Sequence, residues 1–280
     1  VDEHYIKIGS VEELLQSLQD PGAVILCGGT DLVVKMRQGL LSAKTLLDIS
    51  DLDQLREIRQ ERGCIEIGAA VTFSQIIEEA IIGEQIPILA MGLRKLGSTQ
   101  IRNRGTIGGN LVNASPAADS AIPLLLLDAE VIIADPTGER RVQLEDFLCG
   151  PGKTILKQGE FLSGIRVPIP DPELLPFFHK VGRRKALTIA IASLGALLRM
   201  KDGVMDEIRV AAGSVAPVPL RLHRIETMLV GRRLTPQLIK QAQKIVPQCI
   251  SPMTDLRATA DYRYQVISDL LARLLLTVPN

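Results

Sequence analysis

The sequence predicts an α+β protein, and three features carry that prediction. The amino-terminal part alternates helix and strand signals, the middle mixes short strands with helices, and the carboxy-terminal part sets strand patterns before helical ones. Ser10-Val11-Glu12-Glu13 opens the first helix as a capping box, in which the Ser10 hydroxyl bonds the Glu13 amide and the Glu13 side chain returns the bond. Leu14, Leu15 and Leu18 form its apolar face. Ala23 to Cys27 then reads as a buried strand and Gly28-Gly29 as a tight turn. Thr30 or Asp31 caps a helix running to Gln38, Gly39 stops it, and Thr45 to Ile49 is the second strand. This α-β-α-β order is a small α/β unit.

In the middle part Ile65-Glu66-Ile67 is a strand, Thr72 and Gln75 make a second capping box for a helix through Ala80, and Ile86 to Leu96 is a helix with Pro87 in its first turn. Gly97 ends it. From there to Ala118 the residues are mostly small and polar, which predicts a loop of about twenty residues, a length that compact domains keep for function. A helix over Ala121 to Leu127 and strands near Val131 to Ala134, Arg140 to Leu144 and Phe161 to Val167 follow. Pro168, Pro170, Pro172 and Pro176 stiffen an extended linker. Beyond it lie three antiparallel strands, Phe177 to Lys180, Ile189 to Met200 and Met205 to Ala212, with a hairpin at Lys201-Asp202-Gly203. Helices over Arg221 to Val230, Pro236 to Ile245 and Tyr262 to Leu276 complete a three-helix bundle. The expected divisions are residues 1–55, 56–173 and 174–280.

The chain has 280 residues and equal numbers of basic and acidic side chains, 32 each, so no long-range field gathers nucleic acid or anionic lipid. Its basic clusters, Arg183-Arg184-Lys185 and Arg232-Arg233, are short, and no nucleic-acid partner is expected. No uncharged stretch, the run from Ala186 to Leu198 included, reaches the ~20 residues of a membrane span. Val1-Asp2-Glu3-His4 carries no signal-peptide pattern, and the cytoplasm is the default location. Cys27, Cys64, Cys149 and Cys249 are scattered, without metal or cluster spacing, and no metal site is expected in this chain.

Nucleophilic catalysis has no foothold, because there is no G-x-S-x-G and none of the three histidines neighbours a Ser or Cys nucleophile candidate; no catalytic side chain is assigned. What stands out is glycine. Gly28-Gly29-Thr30-Asp31 lies where a strand turns into a helix, so backbone amides can converge on an anion, although the same residues also make an ordinary capped turn. Gly105-Thr106-Ile107-Gly108-Gly109-Asn110 is a second cluster, followed by Asn113, Ser115 and Asp119. Two separated glycine loops suit a dinucleotide, with Asn, Ser and Asp meeting its hydroxyls; a polar turn that satisfies its own backbone is the alternative.

Taken together, these residues resemble a known family. Ile25-Leu26-Cys27-Gly28-Gly29-Thr30-Asp31-Leu32, followed by Met36, resembles the first flavin-binding motif of the molybdenum hydroxylase medium subunit. Gln100-Ile101-Arg102-Asn103, Thr106-Ile107-Gly108-Gly109-Asn110 and Ala114-Ser115-Pro116-Ala117-Ala118-Asp119 resemble its second motif. Gly213 to Arg221, with Glu226, Gly231 and Tyr262-Arg263, is similar to its carboxy-terminal domain. The resemblance implies a two-part PCMH-type FAD-binding domain, a small α/β unit plus a larger α+β unit, and a carboxy-terminal flavoprotein domain of a three-stranded sheet and three helices. It implies a non-covalent FAD, since neither glycine motif holds a histidine, and an oxidoreductase subunit of the xanthine dehydrogenase or carbon monoxide dehydrogenase type. Molybdopterin and [2Fe-2S] clusters are expected on partners, a molybdopterin large subunit and an iron–sulfur small subunit, with electrons passing to a soluble acceptor such as NAD⁺.

By motif position, Leu26 and Cys27 lead into a pyrophosphate loop of Gly28, Gly29, Thr30, Asp31 and Leu32, completed by Thr106, Ile107, Gly108, Gly109 and Asn110. Asn113 and Ser115 belong to the same cofactor set and Asp119 takes a cofactor hydroxyl, while Leu96 with Gly97, Leu162 and Lys180 lie near the flavin ring. A free-standing FAD oxidase or dehydrogenase acting on an organic substrate, and a nucleotide-binding scaffold without redox turnover, are the alternative functions.

Overall fold

The computed structural model describes residues 4–184 and 189–278; Lys185 and the first residues of the uncharged run from Ala186 lie outside them. Strand β1 (His4–Lys7), which the sequence did not signal, precedes helix α1 (Val11–Ser17). The α1 cap closes one residue further out than expected: Ser10 accepts the Glu13 amide at 3.1 Å, but the Glu13 carboxylate bonds the Gly9 amide at 2.7 Å. β2 (Ala23–Leu26), α2 (Leu32–Arg37) and β3 (Thr45–Asp48) follow. Asp31 occupies the α2 N-cap without a side-chain cap bond, and Gly39 leaves the helix at φ 68°. The three strands form a parallel sheet in the order β1-β3-β2, with Leu14, Leu18, Leu47 and Ile49 buried in the core beside it.

The second sheet is antiparallel. β4 (Ile58–Glu61), another strand the sequence did not signal, pairs with β5 (Cys64–Gly68), and α3 (Phe73–Glu78) starts at a complete Thr72/Gln75 capping box. Next come α4 (Ala80–Gln85) and α5 (Pro87–Leu93). The expected long loop after Gly97 is instead two helices, α6 (Thr99–Arg104), capped by Ser98, and α7 (Ile107–Asn113), capped by Thr106. For α7 a low intrinsic propensity is overridden by tertiary bonds, since the Ile107 and Gly108 amides donate to the carbonyls of Val71 and Ala69 at 3.0 Å each. α8 (Ala121–Leu126) is buried throughout. β6 (Glu130–Asp135), β7 (Gly138–Gln143), α9 (Leu144–Phe147), the small pair β8 (Leu148–Gly150) and β9 (Lys153–Thr154), and β10 (Phe161–Pro168) finish this part. The sheet order is β4-β5-β10-β6-β7.

β11 (Leu175–Val181), β12 (Ala192–Lys201) and β13 (Val204–Gly213) are the expected antiparallel strands, and a two-residue strand β14 (Leu220–Arg221) extends the sheet from three to four. Asp202 and Gly203 turn the hairpin at φ 51° and 73°, both left-handed, as a two-residue type I′ loop requires. α10 (His223–Leu229), α11 (Pro236–Ile245) and α12 (Ala260–Thr277) supply Ile225, Leu229, Leu238, Ile267 and Leu271 to a core shared with Leu194, Ala196 and Val210 of the sheet.

The chain forms two compact units, neither of them continuous. One consists of Val1–Glu79, Ser98–Ala114 and Asp128–Pro168, the other of Ala80–Gly97, Ser115–Leu127 and Ile169–Asn280. Helices α5 and α8 thus belong with the β11–β14 sheet.

Candidate functional site

In the first unit the two glycine motifs meet through their backbones. A Cβ on Gly28 would stand 2.0 Å from the Arg104 carbonyl oxygen, and one on Gly108 would stand 2.5 Å from Ala69 Cβ, so both glycines are required by chain packing. The motifs differ in what their amides do. In the second, Ile107 and Gly108 donate to carbonyls, Gly109 to the Thr106 hydroxyl at 3.2 Å, and Asn110 to the Thr106 carbonyl at 3.0 Å. In the first, Gly29 turns at φ 71°, and among the described residues no hydrogen bond takes the amides of Gly29, Thr30, Asp31 or Leu32. A helix start with open amides attracts anions. The first loop therefore has the donors, and the second holds it in place.

Lys35 of α2 donates to Asn113 Oδ1 of α7 at 2.6 Å and ties the two helices together. Neither loop residues nor glycine spacing pointed to Lys35. Burial raises the Cys27 thiol above its usual pKa, partly countered by a bond to Thr106, so this cysteine is not a nucleophile at neutral pH. A cavity of ≈ 130 Å³ opens where the motifs meet, lined by Cys27, Gly28, Asn103, Arg104, Thr106 and Arg56 among others. Asp51 on its wall is engaged by Lys7 at 2.5 Å, whereas Arg56 and Arg104 have no ion pair among the described residues, so the cavity favours negative charge. Leu162 is buried in β10, opposite Ile133 and beside a register shift.

The second unit holds Asp119, Ser115, Leu96, Gly97 and Lys180. Asp119, just before α8, is 4% exposed, and its Oδ2 lies 2.5 Å from Lys180 Nζ of β11. Lys180 also donates to the Lys95 carbonyl at 2.9 Å, which brings it to the residue before Leu96; Gly97 then turns the chain at φ 49°. Ser115 accepts the Ala117 amide at 3.2 Å. Burial raises the Asp119 carboxyl to about 6 against the opposing pull of Lys180, and Asp119 Oδ1 has no partner among the described residues. A buried carboxylate oxygen without a partner is costly and suits a ligand donor. Among the described residues no group of three His, Cys, Asp or Glu side chains gathers as for a metal, and no helix is long and apolar enough to cross a membrane.

Comparison with known proteins identifies the family of both parts of the chain. Residues 2–170 match the family described as the FAD binding domain in molybdopterin dehydrogenase, and residues 177–278 match the CO dehydrogenase flavoprotein C-terminal domain. The chain is 32% identical to the glyceraldehyde dehydrogenase medium chain of Sulfolobus acidocaldarius, over 94% of this chain and 93% of that one. It is also 32% identical to the xanthine dehydrogenase FAD-binding subunit of Escherichia coli O157:H7, over 97% and 94%. In structure it resembles the carbon monoxide dehydrogenase of Hydrogenophaga pseudoflava solved without the Mo-pyranopterin moiety, at TM-score 0.93 and 29% identity, covering 98% of this chain and 96% of that chain.

Proposed function

Because the chain belongs to the FAD-binding subunits of the molybdopterin dehydrogenase family, an oxidoreductase family, we propose that it is the electron-transfer subunit of a molybdenum hydroxylase, taking electrons from partner [2Fe-2S] clusters and giving them to NAD⁺. FAD, when bound, supplies the redox chemistry. Each unit carries its own observation for this reading: in the first, the open amides of Gly29, Thr30, Asp31 and Leu32, and in the second, the buried Asp119 Oδ1, which has no partner among the described residues. The amides take the pyrophosphate, with Thr106 and Gly108 holding their loop. Asp119 accepts a hydrogen bond from the cofactor, and Lys180 holds that carboxylate ionised at 2.5 Å.

The partners are an iron–sulfur small subunit and a molybdopterin large subunit, as the relatives' subunit names suggest. The four cysteines are free thiols. Two experiments test the reading. The purified chain should show flavin absorbance that organic substrate bleaches only when the partner subunits are added; bleaching by the chain alone would favour the free-standing oxidase. Stopped-flow reoxidation of the reduced complex should be fast with NAD⁺. Fast reoxidation by ferredoxin or O₂, with none by NAD⁺, would remove NAD⁺ as the acceptor.

A further inference from the structure

Within the second unit, helix α8 is held at its carboxy-terminal end and on its flanks. Its last carbonyls are capped by two arginines from the sheet, Arg221 Nη1 donating to Leu125 O at 3.2 Å and Arg209 Nη1 to Leu126 O at 3.1 Å. Each guanidinium is itself anchored. Glu226 grips Arg221 at both oxygens, 2.7 and 2.9 Å, while also accepting the Val210 amide at 2.7 Å and facing His223 Nδ1 at 3.1 Å. Glu207 holds Arg209 at 3.0 Å. On the flanks, Cβ atoms at Gly195 and Gly213 would stand 2.7 and 2.8 Å from Ile122, and one at Gly92 would stand 3.0 Å from Pro123 and 3.2 Å from the Asp119 carbonyl. The helix can neither roll nor slide without a clash or a lost cap.

Asp119 stands two residues before the start of α8. Any axial slip of the helix is passed to its carboxylate, and the rise of one residue is about 1.5 Å. A shift of even about 1 Å would take a 2.5 Å contact with Lys180 beyond hydrogen-bond range. We propose that Arg221, locked by Glu226, and Arg209 are positioning residues for the cofactor: they fix the axial position of α8 and so the place where the free oxygen of Asp119 is offered. This rests on the reading of Asp119 as a cofactor-binding residue. The two guanidiniums also complement the negative end of the helix dipole, so they bind the whole helix and not one carbonyl each. Arg221 and Glu226 both fall within the sequence pattern that is similar to the family's carboxy-terminal domain.

A double-mutant cycle on the full chain tests it. FAD dissociation constants are measured by flavin fluorescence on flavin-stripped wild type, Arg221→Lys, Arg209→Met, Asp119→Asn and the two doubles, across pH 5 to 8. Expected are losses of about threefold to thirtyfold for Arg221→Lys and Arg209→Met, together with a displaced pH midpoint of binding. In the Asp119→Asn background the same substitutions should change affinity less than twofold, because contacting groups couple and independent ones add. Equal losses in both backgrounds, with an unmoved pH profile, would overturn the positioning role while leaving Asp119 in the site. A neutral Asp119→Asn would overturn the cofactor reading of Asp119 and the inference with it. If Arg221→Lys does not fold, Arg209→Met, whose side chain is partly exposed, decides the outcome by the same cycle.

Discussion

Asp119 is a carboxylate kept from water with one oxygen on Lys180 and one free, and its proton affinity has two opposite consequences. Burial places its carboxyl at about 6, above the ordinary aspartate value of 3.8, so between those pH values the folded flavin-free chain binds more protons than the unfolded one. Its contribution to stability is therefore present at low pH and lost as pH rises through about 6. Cofactor binding through the ionised oxygen runs the other way, and FAD affinity should fall about tenfold per pH unit below that point. Thermal midpoints and FAD titrations over this range check both slopes, and Asp119→Asn should abolish both while weakening binding by roughly 1–3 kcal/mol. The glycines make a second point at this scale. Gly28→Ala should destabilise the fold by about 1–3 kcal/mol or more, since its Cβ meets the Arg104 backbone at 2.0 Å. Gly63→Ala, at φ 78° with nothing near, should cost only the left-handed strain, about 1–2 kcal/mol, and spare flavin binding; urea melts separate the two.

At the scale of elements, the capping box at α3 serves the site as well as its own helix. Thr72 and Gln75 exchange bonds at 3.3 and 2.9 Å, Thr72 forms a bridge with Thr106, and the Phe73 amide donates to the Gly105 carbonyl at 3.1 Å. Thr72→Ala should cost about 0.5–2 kcal/mol with an unchanged urea m-value, and a larger loss of FAD affinity than of stability would indicate that the second motif has shifted. This box was legible in the sequence because it is local chemistry between neighbours. The segment after Gly97 was not. Its Gly, Asn and Ser content favours a loop, and its second helix starts where carbonyls at Ala69 and Val71, distant in sequence, receive the Gly108 and Ile107 amides. β1 was missed for a related reason: its four residues are all exposed, so no alternation marks it, and pairing with β3 alone defines it. Lys180 carries no local signal, and only the family resemblance singled it out. Lys35, whose partner Asn113 lies on another helix, was not found at all.

For the whole molecule, the interleaving of the two units bears on how the chain can be divided. Sequence patterns and family matches both break between residues 170 and 177, at the proline-rich linker, because strand and helix periodicities are properties of continuous stretches. Packing is not continuous in that way. The carboxy-terminal sheet takes Ile122 of α8 into the space left by Gly195 and Gly213, and it takes the α8 carbonyls on Arg209 and Arg221. A fragment of residues 174–280 would therefore bare the apolar α8-facing side of β12 and β13, and it would leave two guanidiniums without the carbonyls that now accept from them. That fragment should bind the dye ANS and melt without cooperativity, while the full chain melts in a sharp transition. Adding a peptide of residues 115–127 should restore part of the cooperativity and quench ANS fluorescence. A 174–280 fragment that melts sharply unaided would show instead that the strands and their three helices suffice, and that α8 rests on a sheet already complete.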